Sequence, residues 1–234
     1  MPPDNRACFF IARKSLLAAC MLISSIHAFG QEDYKWHYGA FFTGGFPPDY
    51  QIHTPRSHSE VDVRLLSAGI DGGMILTAPH GPGILRGRGE AGIELLPFWL
   101  AQYPRQTRTI HFYNGNVRET EWGPYNVVGA SITPFLLRWN FVSLQTRKQS
   151  PWIQMGGGLL WTDRKFPLLG GSTSAINFTP QVDIGDSLSF KRGQTLDLAV
   201  KAIHISNAGL GNSNPGMNVT LQFSNGYSWW KYRR

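Results

Sequence analysis

Charge is scarce in this chain. Asp, Glu, Lys and Arg make up 16% of its 234 residues, against roughly 25% in an ordinary soluble domain. Helical bundles, coiled coils and disordered chains all need more charge, with less glycine and aromatic content than the 26 glycines and 13% aromatics found here. Long hydrophobic runs are missing as well. No stretch of about 18 uninterrupted apolar residues occurs, and mean hydropathy is −0.21, which excludes a helical membrane protein. Cysteine is limited to Cys8 and Cys20. What remains is a β-rich chain, and a transmembrane barrel stays open because its hydropathy signal per strand is weak.

The first 30 residues read as a secretory signal peptide. Arg6, Arg13 and Lys14 supply a positive leading region, Ser15 to Ile26 an apolar one, and Ala28-Phe29-Gly30 small residues for cleavage before Gln31. Leu17-Ala18-Ala19-Cys20 also resembles a lipoprotein box, but the apolar stretch continues through Met21, Leu22 and Ile23, which suits an ordinary signal better. Both cysteines would leave with this segment, so the expected mature chain, 31–234, has no disulfide, thiolate or cysteine-zinc chemistry. Its net charge falls to about +5 once Arg6, Arg13, Lys14 and Asp4 are removed. Those charges are scattered, and an exported chain has little access to nucleic acid. Contact with anionic lipid is the better reading.

Eight segments alternate with period two. They span about 34–43, 60–77, 84–100, 125–141, 151–162, 175–187, 194–206 and 217–228. In the seventh, for example, Leu196, Leu198, Val200 and Ala202 share one face against Asp197 and Lys201. No stretch with helical period is comparable. A soluble barrel or sandwich would turn the apolar face inward, and an outer-membrane barrel would turn it to lipid.

Loop lengths favour the second. Long connections near 44–59, 101–124, 163–174 and 207–216 alternate with shorter ones near 78–83, 142–150 and 188–193, as in barrels with long outer loops and short periplasmic turns. Trp36, Trp99, Trp122, Trp139, Trp161, Trp229 and Trp230 fall near segment ends, as interfacial girdles would. The expected fold is all-β: an eight-stranded antiparallel transmembrane β-barrel of the outer-membrane type. Its interior is filled by side chains rather than open, and Arg86, Arg88, Glu90, Glu94, Asp183, Asp197 and Lys201 are expected to form an internal, structural polar network.

Most motifs have a plain explanation. Gly87-Arg88-Gly89-Glu90-Ala91-Gly92 matches G-x-G-x-x-G, but it sits inside an alternating segment with no helix after it, where glycines ease close backbone packing. His53, His58, His80 and His111 stand isolated in expected loops or turns and suggest no metal site. There is no G-x-S-x-G, H-E-x-x-H or P-loop. The sequons at Asn177 and Asn218 carry no meaning in a bacterial chain.

The segment from Ala202 to Gly209 differs. His204 and Ser206 are two apart on a strand and leave the same face as Leu196, Leu198, Val200 and Ala202. In a membrane barrel that face meets lipid, which offers polar groups no partner. Both termini of such a barrel are periplasmic, so the seventh strand runs outward and delivers the pair to the outer leaflet. A serine hydroxyl beside an imidazole can be activated as a nucleophile, and backbone or Asn amides can hold an oxyanion. A pair of interfacial residues capping a turn is the alternative.

His204-Ile205-Ser206-Asn207-Ala208-Gly209 resembles the lipid A 3-O-deacylase (PagL) family, acyloxyacyl-hydrolase-like outer-membrane enzymes with a His-x-Ser-Asn run near the end of strand seven. The close match covers about 15 residues, and beyond it the resemblance is one of architecture. It implies a serine hydrolase acting on lipid A of lipopolysaccharide in the outer leaflet, with Ser206 as nucleophile and His204 as general base. It implies no metal or organic cofactor, and leaves a homodimer open. The family's acidic triad member belongs near Met217 or Asn218, where no carboxylate stands. Asn218 is the candidate to orient His204 through its amide oxygen, although its parity points it inward unless a bulge near Gly216 re-aims it. Asn207 and the Gly209 amide are the candidate oxyanion donors. Arg105, Arg108, Arg118, Arg164 and Lys165, in expected outer loops, are candidates to meet lipid A phosphates.

Overall fold

The computed structural model describes residues 35–48, 51–54, 57–60, 62–111, 115–146, 148–168, 173–210 and 217–232. The expected signal peptide lies outside them. Thirteen strands follow one another among the described residues: β1 Lys35–Phe46, β2 Gln51–Thr54, β3 Ser57–Glu60, β4 Arg64–Ile75, β5 Gly87–Tyr103, β6 Gln106–His111, β7 Val117–Trp122, β8 Tyr125–Phe141, β9 Gln149–Phe166, β10 Ser174–Phe178, β11 Gln181–Lys191, β12 Gln194–Ile205 and β13 Met217–Tyr232.

Eight staves close into a barrel in the order β1, β4, β5, β8, β9, β11, β12, β13 and back to β1, every pairing antiparallel. Strand β10 pairs with the same strand, β9, as does β11, so the two share the sixth stave. The break falls at Thr179-Pro180, where proline offers no N–H to the ladder. All eight expected segments are staves. Two of the expected long loops carry hairpins of their own, β2–β3 and β6–β7. In the first of these His53 and His58, expected to be isolated, are cross-strand partners.

Alternation sends large apolar side chains outward on every stave. Trp36, Phe42, Ile70, Phe135, Leu137, Met155, Trp161, Ile184, Val200 and Phe223 are all exposed, the apolar belt of a barrel that meets lipid. The inward residues are largely polar. Lys201, 4% exposed, bonds Glu94 at 2.6 Å and faces Asp183 at 3.9 Å. Gln154 joins Asp183, at 2.8 Å, to the Arg138 side chain, at 2.9 Å. Glu90 is bound by His37 at 2.7 Å and by Asn140 at 2.8 Å. Gly73 is what makes room for that pair, since a Cβ there would run into the Glu90 carboxylate. Asp197 is held by Ser228 and Thr195. The expected network is therefore present without Arg86, which is exposed beside the 3-10 turn Gly83–Leu85 outside the lumen, and without Arg88, whose Nε is buried with no partner.

The lumen changes character at the end bearing the long loops. There Leu65, Trp99, Tyr103, Val127, Leu160, Phe166, Ile203, Ile205 and Met217 form a buried apolar cluster. Trp99, expected in an interfacial girdle, is inside. The ladder slips between Leu96 and Trp99 against β8, so one extra residue around Pro97 reverses the parity of everything after it. Trp230 is also turned inward and donates to Thr195 at 3.2 Å. Trp36 and Trp161 face outward as expected. A second slip around Pro134 in β8 keeps the neighbouring staves in step.

Candidate active site

The outer end of β12 is held by the sixth stave. His204 N–H donates to Pro180 O at 3.0 Å, Ser206 N–H to Phe178 O at 3.1 Å, and Phe178 N–H to Ser206 O at 2.6 Å. Strict alternation along β12 fixes the directions of its side chains. Lys201, Ile203, Ile205 and Asn207 are buried on the inward side, while Val200 and Leu198 are exposed on the other. His204 and Ser206 fall on the outward side and are half-buried. Their surroundings are apolar: Phe178 is the bridge partner of Ser206, and Ile176 and Val219 are exposed on the flanking strands. Two polar side chains thus stand on a lipid-facing surface, at the rim from which the long connections leave.

A tight turn follows at once. Asn207 C=O accepts the Leu210 N–H at 2.9 Å across Ala208 (φ 49°) and Gly209 (φ 84°). Positive φ at both central residues marks a type I′ turn, and Ala208 is the only positive-φ residue other than glycine among the described residues. The turn brings the Ala208 N–H to the Ser206 Oγ, 3.1 Å away. The two expected oxyanion donors are instead engaged with each other: Gly209 N–H donates to Asn207 Oδ1 at 2.9 Å, with Asn207 2% exposed on the inward side. The Ala208 amide is a donor at Oγ of which residue type gives no hint, since any residue carries an N–H.

Opposite the site the ladder is irregular. Ile203 pairs with Thr220 but Ile205 with Met217, so His204 alone faces two residues, 218 and 219. Met217 and Thr220 are both inward and buried while Val219 is exposed, which is the signature of an inserted residue. The bulge that an outward Asn218 requires is therefore in the ladder; the Asn218 side chain lies outside the described residues. Asp163, on the outer part of β9, is bound to Val128 N–H at 2.9 Å and to Arg164 at 3.1 Å, and β10 lies between its strand and β12.

Of the candidate cations, Arg105, Arg164 and Lys165 are exposed at the same end of the barrel. Arg108 and Arg118 occupy facing strands of the β6–β7 hairpin, with side chains outside the described residues. No group of three or more His, Cys, Asp or Glu among the described residues is placed to hold a metal ion.

The outer membrane enzyme PagL aligns with 16% identity over 84% of this chain and 98% of its own, at a TM-score of 0.41. The outer membrane protein OprG from Pseudomonas aeruginosa aligns with 10% identity over 84% and 95%, at 0.47. No curated protein matches the chain. The model of the family described as lipid A 3-O-deacylase (PagL) matches residues 91–228. That span runs from the first part of β5 nearly to the end of β13 and takes in the His204–Ser206 rim, more than half of the chain, so this outer-membrane β-barrel belongs to the lipid A 3-O-deacylase family.

Proposed function

We propose that the chain is a serine esterase of the outer leaflet that removes an ester-linked acyl chain from lipid A. One observation carries the reading: His204 and Ser206 emerge together on the lipid-facing side of β12, at the rim with the long loops, where an acylated substrate lying in the leaflet meets them without leaving it. Ser206 Oγ attacks the ester carbonyl while His204 accepts its proton. The tetrahedral oxyanion is met by the Ala208 amide. Collapse breaks the ester bond, His204 returns the proton to the departing sugar hydroxyl, and water then releases the fatty acid from Ser206 by the same relay. Arg105, Arg164 and Lys165 supply cations for the phosphates of the substrate at that rim, with Arg108 and Arg118 on the nearby hairpin. The family's acid is replaced by Asn218, whose amide oxygen orients His204 across the bulge.

The absence of a carboxylate at 218 favours a second reading, a barrel that retains the fold and motif without efficient turnover. Mass spectrometry of lipid A from cells making the protein separates them. Loss of one acyl mass with native Ser206, and at least about a thousandfold less with Ser206→Ala, is the expected result. Unchanged lipid A in both, with the barrel verified in the outer membrane, establishes the second reading or an esterase of another acyl lipid.

A further inference from the structure

The opposite mouth of the barrel carries a feature that deacylation does not use. A cavity of about 190 Å³ opens between the short turns, lined by Arg88, Asn140, Ser150, Ser187, Gln194 and Trp230 among others, with no carboxylate among the described residues that line it. Arg88 is the one charged residue among the described residues that line it. A lumenal arginine is ordinarily matched by an acid, and Glu90, two residues along on the same face, is the natural candidate. Glu90, however, is already bound by His37 and Asn140 and faced by Arg138 at 3.9 Å. The Nε of Arg88 is buried without a partner.

The wall is suited to an anion. Ser187 already accepts the Trp152 indole N–H at 3.2 Å, so its own proton is left to donate. Around the mouth, Arg86, Lys148, Lys191, Arg192 and Lys231 are all exposed. Asp186 and Asp197, which accept from the Ser150 N–H at 2.8 Å and from Ser228, do not line the recess. A rim in which exposed cations predominate around a low-dielectric recess concentrates the opposite charge.

We propose that this periplasmic mouth is a binding site for a small soluble oxyanion, a phosphate or a carboxylate, anchored by the Arg88 guanidinium fork and drawn in by the exposed cations. The recess is too small for an acylated disaccharide, so the site is separate from the deacylase rim.

The test is an NMR titration of the outer-membrane form in zwitterionic detergent, with inorganic phosphate in one arm, acetate in another, and chloride at matched ionic strength as control. Saturable shifts of the Gly193 and Gln194 amides in one or both oxyanion arms, weakened at least tenfold by Arg88→Gln and unchanged by Arg64→Gln at the far end, are expected; the arm that responds identifies the ligand. No saturable shift in the native protein, or equal shifts with chloride, overturns the proposal without any variant. If Arg88→Gln does not fold, Arg88→Lys keeps the charge and loses the fork. Severalfold weaker phosphate binding supports the proposal there, and unchanged affinity removes Arg88 as the anchor.

Discussion

The lumen of this barrel holds two interiors built on different physics. In the middle, all eight staves contribute to a ring of polar contacts: His37, Asp71, Glu90, Arg138, Gln154, Asp183, Lys201 and Ser228 come from β1, β4, β5, β8, β9, β11, β12 and β13 in turn. At the outer end the staves enclose an apolar cluster of Trp99, Tyr103, Leu160, Phe166, Ile203, Ile205 and Met217, beside buried uncharged polar side chains such as Thr162, Asn177, Asn207 and Thr220. Lipid outside is as apolar as a protein core, so the hydrophobic effect alone does not send those residues inward. Directional bonds close the middle; dense packing fixes the outer end. The second arrangement is the one beneath the candidate site, since Ile203 and Ile205 bracket His204 and seat the backbone on either side of it.

The comparison breaks most visibly in the middle. Lys201→Met leaves Glu94 and Asp183 buried without their cation, a change that costs about 3–5 kcal/mol. Urea unfolding of the purified barrel is expected to shift accordingly, and adding Glu94→Gln to recover part of the loss. Deacylation per folded molecule is expected to stay near the native value, because the network touches no part of the rim. A specific activity that falls with stability would show that the two interiors are coupled.

The outer interior is expected to behave in the opposite way. Ile205→Ala removes a fully buried side chain at a cost of about 2–5 kcal/mol. Here the activity of the folded fraction should drop as well, because the cavity opens under the strand segment that carries both His204 and Ser206. Stability from unfolding curves and turnover on purified lipid A, measured on one preparation, separate the two effects. Equal loss in Lys201→Met and Ile205→Ala would leave the apolar packing no special role.

Period-two patterning made the staves legible, and with them the outward direction of His204 and Ser206, because every residue of β12 keeps its parity. Legibility ended where parity is broken. The extra residue around Pro97 sends Trp99 inward, and period counting has no means of placing it. The insertion opposite His204 is of the same kind. His37 escaped notice because a single histidine among aromatic residues carries no sign of a glutamate 53 positions away. The hairpins β2–β3 and β6–β7 were hidden because their strands are mostly polar and show no apolar face. The Ala208 amide was invisible for a different reason: it is defined by backbone torsion, which the residue name does not reveal.

The insertion in β13 predicts the next effect in size. If residue 218 faces His204 across the bulge, Asn218→Ala deprives the imidazole of its orienting oxygen, and turnover should fall by roughly tenfold, less than the roughly 10²–10⁴-fold of the acid-base group itself because Asn218 acts only through His204. Asn218→Glu restores the charge that stabilises the imidazolium and should raise turnover above native. No response to either substitution, with Ser206→Ala still inactive, would mean that His204 is oriented by another group.

The smallest effect concerns the turn. Unlike the strand behind it, the turn at 207–210 is held by its own polar bonds, Asn207 to Gly209 and Ser206 to Ala208, with Ala208 in a left-handed conformation. That conformation costs an alanine roughly 1–2 kcal/mol, and glycine removes the cost while adding about 0.5–1 kcal/mol of chain entropy in the unfolded state. Ala208→Gly is therefore expected to stabilise the barrel by about 0–1.5 kcal/mol. It keeps the N–H that points at Ser206 Oγ, so turnover should remain within about twofold of native if that amide needs only to be present. A larger fall in turnover without loss of stability would show that the alanine methyl, by narrowing the torsions open to the turn, keeps the amide aimed. The rim would then owe its rigidity to two sources, packing from below and backbone restriction from within.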